Sequence, residues 1–483
     1  MNVDLLETPL AWLEPPGTAE CEPWLREYDA WLGGEGQAIS DAVDRAGTPW
    51  LRMFDLRGRR VDEILYPPEY GRLLQRGYQA GVVWRAFAEP ALSLRPSFRL
   101  LFITAFHDAG LACPYTVSLA TAALLSKYGA SELQERFLPP LLERERPAWQ
   151  GATWMTEIKG GSDLGAAVDT LARPEGARWR LSGDKYFASN AGADLALVAA
   201  RREGAPRTVR GLNLYLVPRR GSGGEHNYCI RRLKDKIGTR SVPTGEIELR
   251  DSEAWPLGRA EDGFYHLLEV LNLSRTANSI ASVALAQRAL ADAYAYARQR
   301  TAFGAPIFAH PLLRRQFDTR LRQLRAASRL AWFAVRLLDE LWRQTPPYPE
   351  RYYMFRLVTH LAKYWTAALA VATAQWAIEV HGGAGVLQEF RVERWLREAM
   401  ILAIWEGTSH RHMLEALDLI ERHGAHRLLF QHLAAPAAEQ RGMEARLEHH
   451  LSLPAPEKQA ALAPLIRDLA RFTADSLAAP VRK

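Results

Sequence analysis

The spacing of apolar residues changes twice along this chain, and this change constrains the fold more than any other feature of the sequence. In residues 1–150 apolar residues recur every three or four positions, as in 70–75 and 118–138, which is typical of amphipathic helices. Within 154–255 the period is two, and Gly and Pro separate the short apolar segments, which indicates strands. Helical spacing returns at Gly263 and continues to about Gly424.

Several residues predict where individual elements begin and end. Ser131 is the predicted N-cap of a helix, with Gln134 three positions later in a capping-box arrangement. Pro139 and Pro140 are predicted to end that helix. In the β region, the turn residues around Gly183 predict a hairpin.

The C-terminal half is predicted to contain four long helices. They cover 264–299, 312–343, 353–380 and 409–423. The tail adds two predicted helices, separated by Pro454 and Pro456. The predicted fold is mainly α with a central β domain: an N-terminal helical domain (1–150), an antiparallel β-barrel-like domain (151–260), a C-terminal four-helix bundle (261–424) and a helical tail (425–483).

Composition favours a soluble globular protein without a metal site. The N-terminus lacks the basic start and apolar run of a signal peptide, and the most apolar stretch, 364–378, is shorter than the roughly 20 residues that span a bilayer. Cys21, Cys113 and Cys229 lie too far apart in sequence for a disulfide framework or a zinc motif. A cytoplasmic location with reduced thiols, no membrane association and no metal is therefore expected.

The sequence contains no nucleophile elbow, phosphate-binding loop, zinc-protease motif or dinucleotide fingerprint. Two other segments could approach a ligand. The first runs from Met155 and Thr156 through paired glycines to Ser162 and Asp163, and its backbone can approach a ligand closely. It is equally typical of a turn that enters a strand. The second is 185–190, where an aromatic and a hydroxyl side chain share one strand face and could contact a planar ring, although core packing also produces such pairs.

Two further segments lie among the C-terminal helices. Arg300, at a predicted helix end before Phe303, can either cap carbonyls or bind a pyrophosphate. The other segment combines the glycine-rich 382–385 with Glu406, which precedes a helix predicted to begin at Thr408 or Ser409.

Glu406 can be interpreted in two ways from the residues around it. Beside the apolar ring of Trp405, a carboxylate tends to have a raised pKa, which suits a general base. Just before a helix, it can instead be a solvated side chain that complements the helix dipole. Position alone favours the second role, the solvated side chain that complements the helix dipole.

In this order and spacing, the four segments resemble the acyl-CoA dehydrogenase family over about 112–421. Details of the chain are similar to the AidB-type branch of alkylation-response flavoproteins. They are Trp405, the stretches 56–62 and 232–238, Glu379, and the tail beyond Gly424.

The resemblance implies a set of site residues. The catalytic residue would be Glu406. The FAD-binding residues would be Met155, Thr156, Ser162, Phe187, Ala188, Ser189, Arg300, Phe303, Glu379, Gly382, Gly383, Trp405, Thr408 and His410. The substrate-binding residues would be Ser162, Asn272, Arg275 and Gly407.

The resemblance also implies an activity and partners. Glu406 would remove the α-proton of an acyl-CoA thioester while a hydride leaves the β-carbon for the flavin. Ser274 occupies the place from which some family members supply the base, so Glu406 is the candidate. An electron-transfer flavoprotein would reoxidise the flavin, and FAD sites shared between subunits imply a homotetramer.

Two alternatives to a dehydrogenase are a weakly active flavoprotein associated with DNA in an alkylation response and an acyl-CoA-binding protein with structural FAD. A DNA-binding chain is expected to carry a basic region. The tail does not provide one, since its basic residues barely outnumber its acidic ones. The most basic segment is the predicted helix 312–343, where an arginine stripe is also typical of a solvated or interface face.

Overall fold

The structure is a computed structural model that describes residues 6–14, 22–88, 90 and 92–477. Cys21 lies outside the described residues. The chain divides into two compact units: one is Cys21–Ser274, and the other combines Met1–Glu20 with Arg275–Lys483.

The helices of the first unit are mostly in its N-terminal half. They are α1 Pro23–Trp31, α2 Gln37–Ala46, α3 Tyr70–Ala80, α4 Arg95–His107, α5 Ala112–Tyr128, α6 Ser131–Leu141 and the short α7 Leu164–Ala167. The helix predicted at 70–75 is confirmed, whereas 118–138 contains a break between α5 and α6.

The predicted limits of α6 are wrong at both ends: the helix begins one residue earlier than predicted and ends after the two prolines rather than before them. The N-cap is Ala130 rather than Ser131, because Ala130 has extended backbone and Ser131 is already helical. The Gln134 side chain donates to the Gly129 carbonyl (2.8 Å) instead of closing a capping box. Pro139 and Pro140 lie inside the last turn, since the fixed φ of proline is itself helical and the helix ends at Leu141.

A β-hairpin interrupts the N-terminal region that was predicted to be helical. It consists of β1 Trp50–Phe54 and β2 Arg60–Leu65, which pair antiparallel. Its turn is stabilised by Asp55, whose carboxylate accepts from the backbone N–H groups of Arg57 (2.8 Å) and Arg59 (3.0 Å). This turn chemistry and the strand pairing outweigh the helical spacing around them.

The β domain is a seven-stranded sheet. Its strands are β3 Gly151–Trp154, β4 Leu171–Glu175, β5 Arg178–Ser189, β6 Leu195–Arg202, β7 Leu212–Pro218, β8 Cys229–Leu233 and β9 Thr244–Pro256. The order is β3-β6-β4-β5-β9-β7, β8 pairs with β9, and β7 also pairs with β6. The β6–β7 pairing closes a ring, so the barrel-like prediction is confirmed. The sheet is not wholly antiparallel, because β3 and β4 each pair parallel with β6.

The predicted hairpin at Gly183 is wrong, because Gly183 lies within the continuous strand β5. Its φ of +151° and a register shift after Leu181 form a bulge. A Cβ at Gly183 would lie 2.6 Å from the Cα of Thr170, so glycine is required there for close packing. The chain turns earlier, at Gly176 between β4 and β5, where φ is +62°.

The second unit is a helical bundle with a helical tail. Its helices are α8 Gly263–Gln299, which begins in the first unit, α9 Pro311–Leu341, α10 Glu350–His381, α11 Val392–Ile404, α12 Ser409–His423, α13 Ala425–His432, α14 Ala437–Ser452, α15 Ala455–Ala460 and α16 Leu462–Ser476. Strands β10 Thr301–Ala302 and β11 Ala305–Pro306 form a small hairpin after α8. Among the described residues, no helix is both long and apolar enough to cross a bilayer.

The four long helices predicted in this unit are confirmed to within three residues at each end. One helix, α11, was missed, although its buried residues Val392, Trp395, Ala399 and Leu402 follow helical spacing. The tail contains four helices rather than two, because turns after α13 and α15 divide the two predicted segments.

Candidate active site

Glu406 lies in a tight connection between α11 and α12. Its φ is +59°, and the next residue, Gly407, has a φ of +110°. Positive φ is unfavourable for a glutamate, so surrounding contacts must hold this conformation. The following helix begins at Ser409, as predicted, and Thr408 is its N-cap residue but makes no side-chain capping bond.

Three buried side chains hold the backbone of this connection. Arg275, on α8, donates from Nε to the carbonyl oxygen of Glu406 (3.2 Å). The Gly407 carbonyl oxygen accepts from Lys363 Nζ on α10 (2.7 Å) and from His412 Nε2 on α12 (3.1 Å). Because a carbonyl oxygen has two lone pairs, these two donors saturate it.

The environment of Glu406 perturbs the protonation equilibrium of its carboxyl. Burial raises the pKa of the Glu406 carboxyl, while the positive charges of Arg275 and Lys363 act in the opposite direction. Burial lowers the pKa of Lys363 to about 7 and that of Arg275 to about 10. The Glu406 residue is still partly accessible, which a base that meets a ligand requires.

Lys363, His360 and His412 are the residues that the sequence interpretation missed. Lys363 is 1% exposed within the apolar face of α10. Lysine is seldom fully buried, so its presence in an apolar stretch of the sequence was the signal that could have identified it as a functional residue. His412 contacts His360 on α10, with 2.9 Å between the two Nδ1 atoms. No sequence pattern pairs two residues that are 52 positions apart. Among the described residues, no group of three or more His, Cys, Asp or Glu side chains is placed to hold a metal.

In the first unit, the structure brings together two of the predicted segments. Met155 and Thr156 follow β3, and the Thr156 carbonyl accepts from the backbone N–H of Tyr186 on β5 (3.0 Å). A Cβ on Gly161 would lie 2.5 Å from Thr156 Oγ1, so the loop closes tightly over that threonine. Ser162 is exposed at the far end of the loop.

A buried ion pair supports this loop from below. Glu157 accepts from Lys185 Nζ (2.7 Å), from the Thr170 hydroxyl (2.5 Å) and from the backbone N–H of Asp169 (2.8 Å). Lys185 also donates to the Ala199 carbonyl (2.7 Å). The pair therefore connects the loop to β5 and β6.

The three predicted residues on β5 differ in accessibility. Phe187 is 54% exposed, Ser189 is half-buried, and the Ala188 methyl is buried in the core of the β domain. The Ser189 carbonyl accepts from the indole Nε1 of Trp154 (2.9 Å), which connects this strand to β3. An aromatic face is thus available at Phe187, whereas Ala188 can offer a ligand only its backbone.

The remaining predicted cofactor segments lie at the ends of α8 and α10. Phe303 is 97% exposed in the β10–β11 turn with a φ of +51°. The rings of Tyr296 on α8 and His381 on α10 stack with centroids 4.3 Å apart, which brings the two helix ends together. At Gly382 and Gly383 no atom lies within 4 Å of an ideal Cβ, so the backbone is open to a ligand.

Other predicted residues are distributed over the surface and core. Arg300, Glu379, Thr408 and His410 are exposed, and Asn272 is buried on α8.

Family models match three successive segments of the chain. The AidB N-terminal domain of the adaptive response proteins matches residues 8–146. The acyl-CoA dehydrogenase middle domain matches 152–252, and the C-terminal domain of the same family matches 261–418. The chain belongs to the acyl-CoA dehydrogenase family. Its first domain is of the AidB type.

Curated relatives agree with this assignment. The chain is 30% identical to acyl-CoA dehydrogenase family member 11 of Caenorhabditis elegans over 79% of its own length and 65% of that protein. It is 28% identical to the putative acyl-CoA dehydrogenase AidB of Escherichia coli over 88% of its length and 81% of that protein. It therefore spans slightly less than two thirds of the nematode relative.

Solved structures of this family share the fold. The apo form of Bd2924 has a TM-score of 0.87 at 29% identity and covers 98% of this chain and 96% of that one. The nematode ACDH-11 in complex with C11-CoA has a TM-score of 0.81 at 26% identity, with 93% and 82% coverage. A Mycobacterium smegmatis glutaryl-CoA dehydrogenase in complex with FADH2 shares the fold at 20% identity, with a TM-score of 0.65 and 85% and 97% coverage.

Side chains of this acyl-CoA dehydrogenase chain fit a planar, hydrogen-bonding cofactor. The indole Nε1 of Trp405 is buried and has no hydrogen-bond partner among the described residues. A buried donor without a partner costs free energy, which a ligand acceptor would offset. In the same unit, the backbone of Gly382 and Gly383 leaves unoccupied space. The first unit separately exposes the apolar ring of Phe187.

Proposed function

We propose that this protein catalyses the FAD-dependent α,β-dehydrogenation of an acyl-CoA thioester, with Glu406 as the base. The observation that supports this proposal is the state of Glu406. Its carboxyl has a pKa raised by burial, its backbone is fixed by three donors, and part of the residue stays accessible.

Glu406 would remove the α-proton of the thioester, and FAD, when bound, supplies the hydride acceptor. A raised pKa brings the affinity of the carboxylate for a proton closer to that of the weakly acidic α-carbon. The positive charges of Arg275 and Lys363 oppose the effect of burial on the pKa of Glu406 and favour its ionised form, which is the form that acts as a base. Hydrogen-bond donors that polarise the thioester oxygen would contribute several kcal/mol to such a reaction.

The cofactor-binding residues are assigned separately for each unit. On the first unit we assign this role to Met155, Thr156, Ser162, Phe187, Ser189 and the backbone of Ala188. On the second unit we assign it to Arg300, Phe303, Glu379, Gly382, Gly383, Trp405, Thr408 and His410. Ser162, Asn272, Arg275 and Gly407 would face the substrate.

Assembly and electron transfer follow from the same proposal. The 97% exposed ring of Phe303 supports a role across a subunit boundary, and the assembly we propose is a homotetramer with shared FAD sites. An electron-transfer flavoprotein would accept the electrons from the reduced flavin. The proposed location of the protein is the cytoplasm, where such an acceptor would be available.

Anaerobic reduction of the flavin by a panel of acyl-CoA thioesters tests the proposed reaction. A substrate should bleach the visible band of oxidised FAD, and Glu406→Gln should abolish bleaching while FAD stays bound. Glu389→Gln, an exposed glutamate before α11, is the matched control and should bleach normally. Reduction that persists in Glu406→Gln would overturn the role of Glu406. Thioester binding without bleaching in the unmodified protein would indicate a binding protein instead.

The AidB-type first domain and exposed arginines on α9 support a second candidate, a weakly active flavoprotein that binds DNA. Not all arginines of α9 are available, because Arg320 lies over the Trp376 ring and Arg336 pairs with Glu14. The exposed ones are Arg314, Arg315, Arg322 and Arg325. Exposed arginines are the residues expected to contact phosphates.

Duplex DNA binding as a function of salt tests this candidate. The DNA-binding constant should fall steeply as the salt concentration rises. Replacing Arg322 and Arg325 with alanine should reduce the slope of the logarithm of the binding constant against the logarithm of salt concentration by about two, one for each lost phosphate contact. Arg422→Ala and Arg446→Ala, which alter paired arginines of α12 and α14, are the controls. Absence of binding at low salt would exclude the candidate.

A further inference from the structure

Beneath the Glu406 connection lies a cluster of buried polar side chains that the proposed chemistry does not use. His360 and Lys363 come from α10, and His412 comes from α12, and each is 1% exposed. Lys363 and His412 contact the backbone of the connection directly, and His360 contacts His412. Burial of several polar groups costs free energy unless each is matched, so their arrangement requires a reason.

The hydrogen atoms of the two imidazoles can be assigned from their partners. The Gly407 carbonyl only accepts, so His412 Nε2 carries a hydrogen. Burial and nearby positive charges lower the pKa of His412 and that of His360 well below the usual value, so both rings are neutral at pH 7. His412 Nδ1 therefore accepts, and the hydrogen between the rings belongs to His360 Nδ1.

The far side of His360 agrees with this assignment. Its Nε2 has no hydrogen-bond partner among the described residues and lies 4.0 Å from Glu415 Oε2. Glu415 is neutralised instead by Arg356 (3.2 Å) and by Arg411. Because Glu415 is already paired, it does not draw a hydrogen onto His360 Nε2. The single hydrogen of the neutral His360 ring therefore stays on Nδ1, where it orients His412.

We propose that Lys363 and His412 are positioning residues for Glu406, which hold the Gly407 carbonyl from two helices, and that His360 fixes the tautomer of His412. This inference rests on the role of Glu406 in the proposed function. With the Arg275 bond to the Glu406 carbonyl, two successive peptide groups are fixed, and the positive φ of Glu406 is thereby maintained. The carboxylate then has one direction in which to meet the α-proton.

Lys363 and His412 act on Glu406 by different physical means, which separates them experimentally. Below its pKa of about 7, Lys363 contributes both a donor and a positive charge, whereas His412 is neutral and contributes only a donor. The charged groups that act on Glu406 are Arg275 from α8 and Lys363 from α10, and Arg411 on α12 acts on His412. Removing Lys363 should therefore change the charge on Glu406 and its position, and removing His412 should change the position alone.

The first experiment measures the protonation of Glu406 without catalysis. In the FAD-loaded protein, the infrared difference between each variant and the same variant carrying Glu406→Gln isolates the carboxyl band of Glu406, which is followed against pH. Lys363→Met should move the midpoint up by about one pH unit, since an opposite charge is lost. His412→Leu should leave the midpoint unchanged, because the neutral His412 contributes no charge. The control Lys458→Met should also leave it unchanged, because Lys458 lies in the tail and pairs with Glu421. An unchanged midpoint in Lys363→Met would overturn the role of Lys363.

The second experiment measures the rate of flavin reduction by a saturating acyl-CoA. His412→Leu should lower the maximal rate about ten- to a hundredfold with little change in KM, because misplacement of a reacting group acts on the chemical step. His412→Gln, whose amide can donate to the same carbonyl, should recover most of the rate. Equal rates in His412→Leu and the unmodified protein, or no recovery in a folded His412→Gln, would overturn the role of His412.

The two experiments also separate this inference from the proposed function. If no acyl-CoA reduces the flavin but the infrared midpoint moves in Lys363→Met, the proposed reaction fails and the influence of Lys363 on Glu406 stands. If the flavin is reduced and the midpoint does not move, the reaction stands and the influence of the Lys363 charge on Glu406 fails.

Discussion

Replacing Glu157 with glutamine should destabilise the β-rich unit by about 3–5 kcal/mol, the usual cost of breaking one side of a buried ion pair. The Glu157 side chain is 6% exposed and that of its partner Lys185 is 0% exposed. Glutamine keeps the shape of Glu157 but removes the charge, which leaves the Lys185 ammonium with only neutral acceptors, the glutamine oxygen and the Ala199 carbonyl. The backbone donor of Asp169 would also lose a charged acceptor.

Urea unfolding combined with hydrogen exchange of peptides from 151–202 measures this effect at the site. The double variant Glu157→Gln with Lys185→Met should be less destabilised than the sum of the two single variants, because it leaves no unpaired charge. The exposed pair of Arg173 and Glu203 provides a control, and Glu203→Gln should change stability little. FAD affinity should fall in Glu157→Gln, since the pair supports the loop of Met155 and Thr156.

Two results would refute this reasoning. A loss below about 1 kcal/mol in Glu157→Gln would show that the pair is solvated or replaceable, unlike the buried pairs on which the magnitude is based. Full additivity of the two single variants would show that Glu157 and Lys185 do not depend on each other.

Three further predictions concern pH, the loop after β3 and the exposed turn after α8. Burial lowers the pKa of His266 to about 4, so between pH 6.5 and 4 the unfolded chain binds a proton at His266 that the folded chain does not. The free energy of unfolding should therefore fall by about 3 kcal/mol over this pH range. His266→Leu should lower the slope of the unfolding free energy against pH by the equivalent of one proton. Gly161→Ala should displace Thr156 and weaken FAD binding by about tenfold, and flavin fluorescence measures this affinity. The control is Gly71→Ala, which should bind FAD normally because the added Cβ meets no atom within 4 Å. Phe303→Ser should weaken subunit association by about 1.5–3 kcal/mol per buried ring, seen as a lower mass in light scattering at low protein concentration; an unchanged mass would exclude Phe303 from the interface.

Where a segment is long and its apolar spacing regular, the sequence predicted the structure. Helices α8, α9, α10 and α12 were placed to within three residues, and α12 begins where Ser409 indicated. Local signals were less reliable when a nearby strand or helix competed with them. Gly183 is a bulge rather than a turn, since it packs on Thr170, which is distant in sequence.

The site shows the same division. The order of four short segments was enough to identify the family and to select Glu406, because motif spacing is a property of the chain itself. The surroundings that support Glu406 as the proposed base come from three other parts of the chain: Arg275, Lys363 and His412. Their contacts join α8, α10 and α12 across intervals of up to 131 residues, and sequence periodicity extends only over neighbouring turns. Burial and charge, which set the pKa of Glu406, exist only once those helices have packed together.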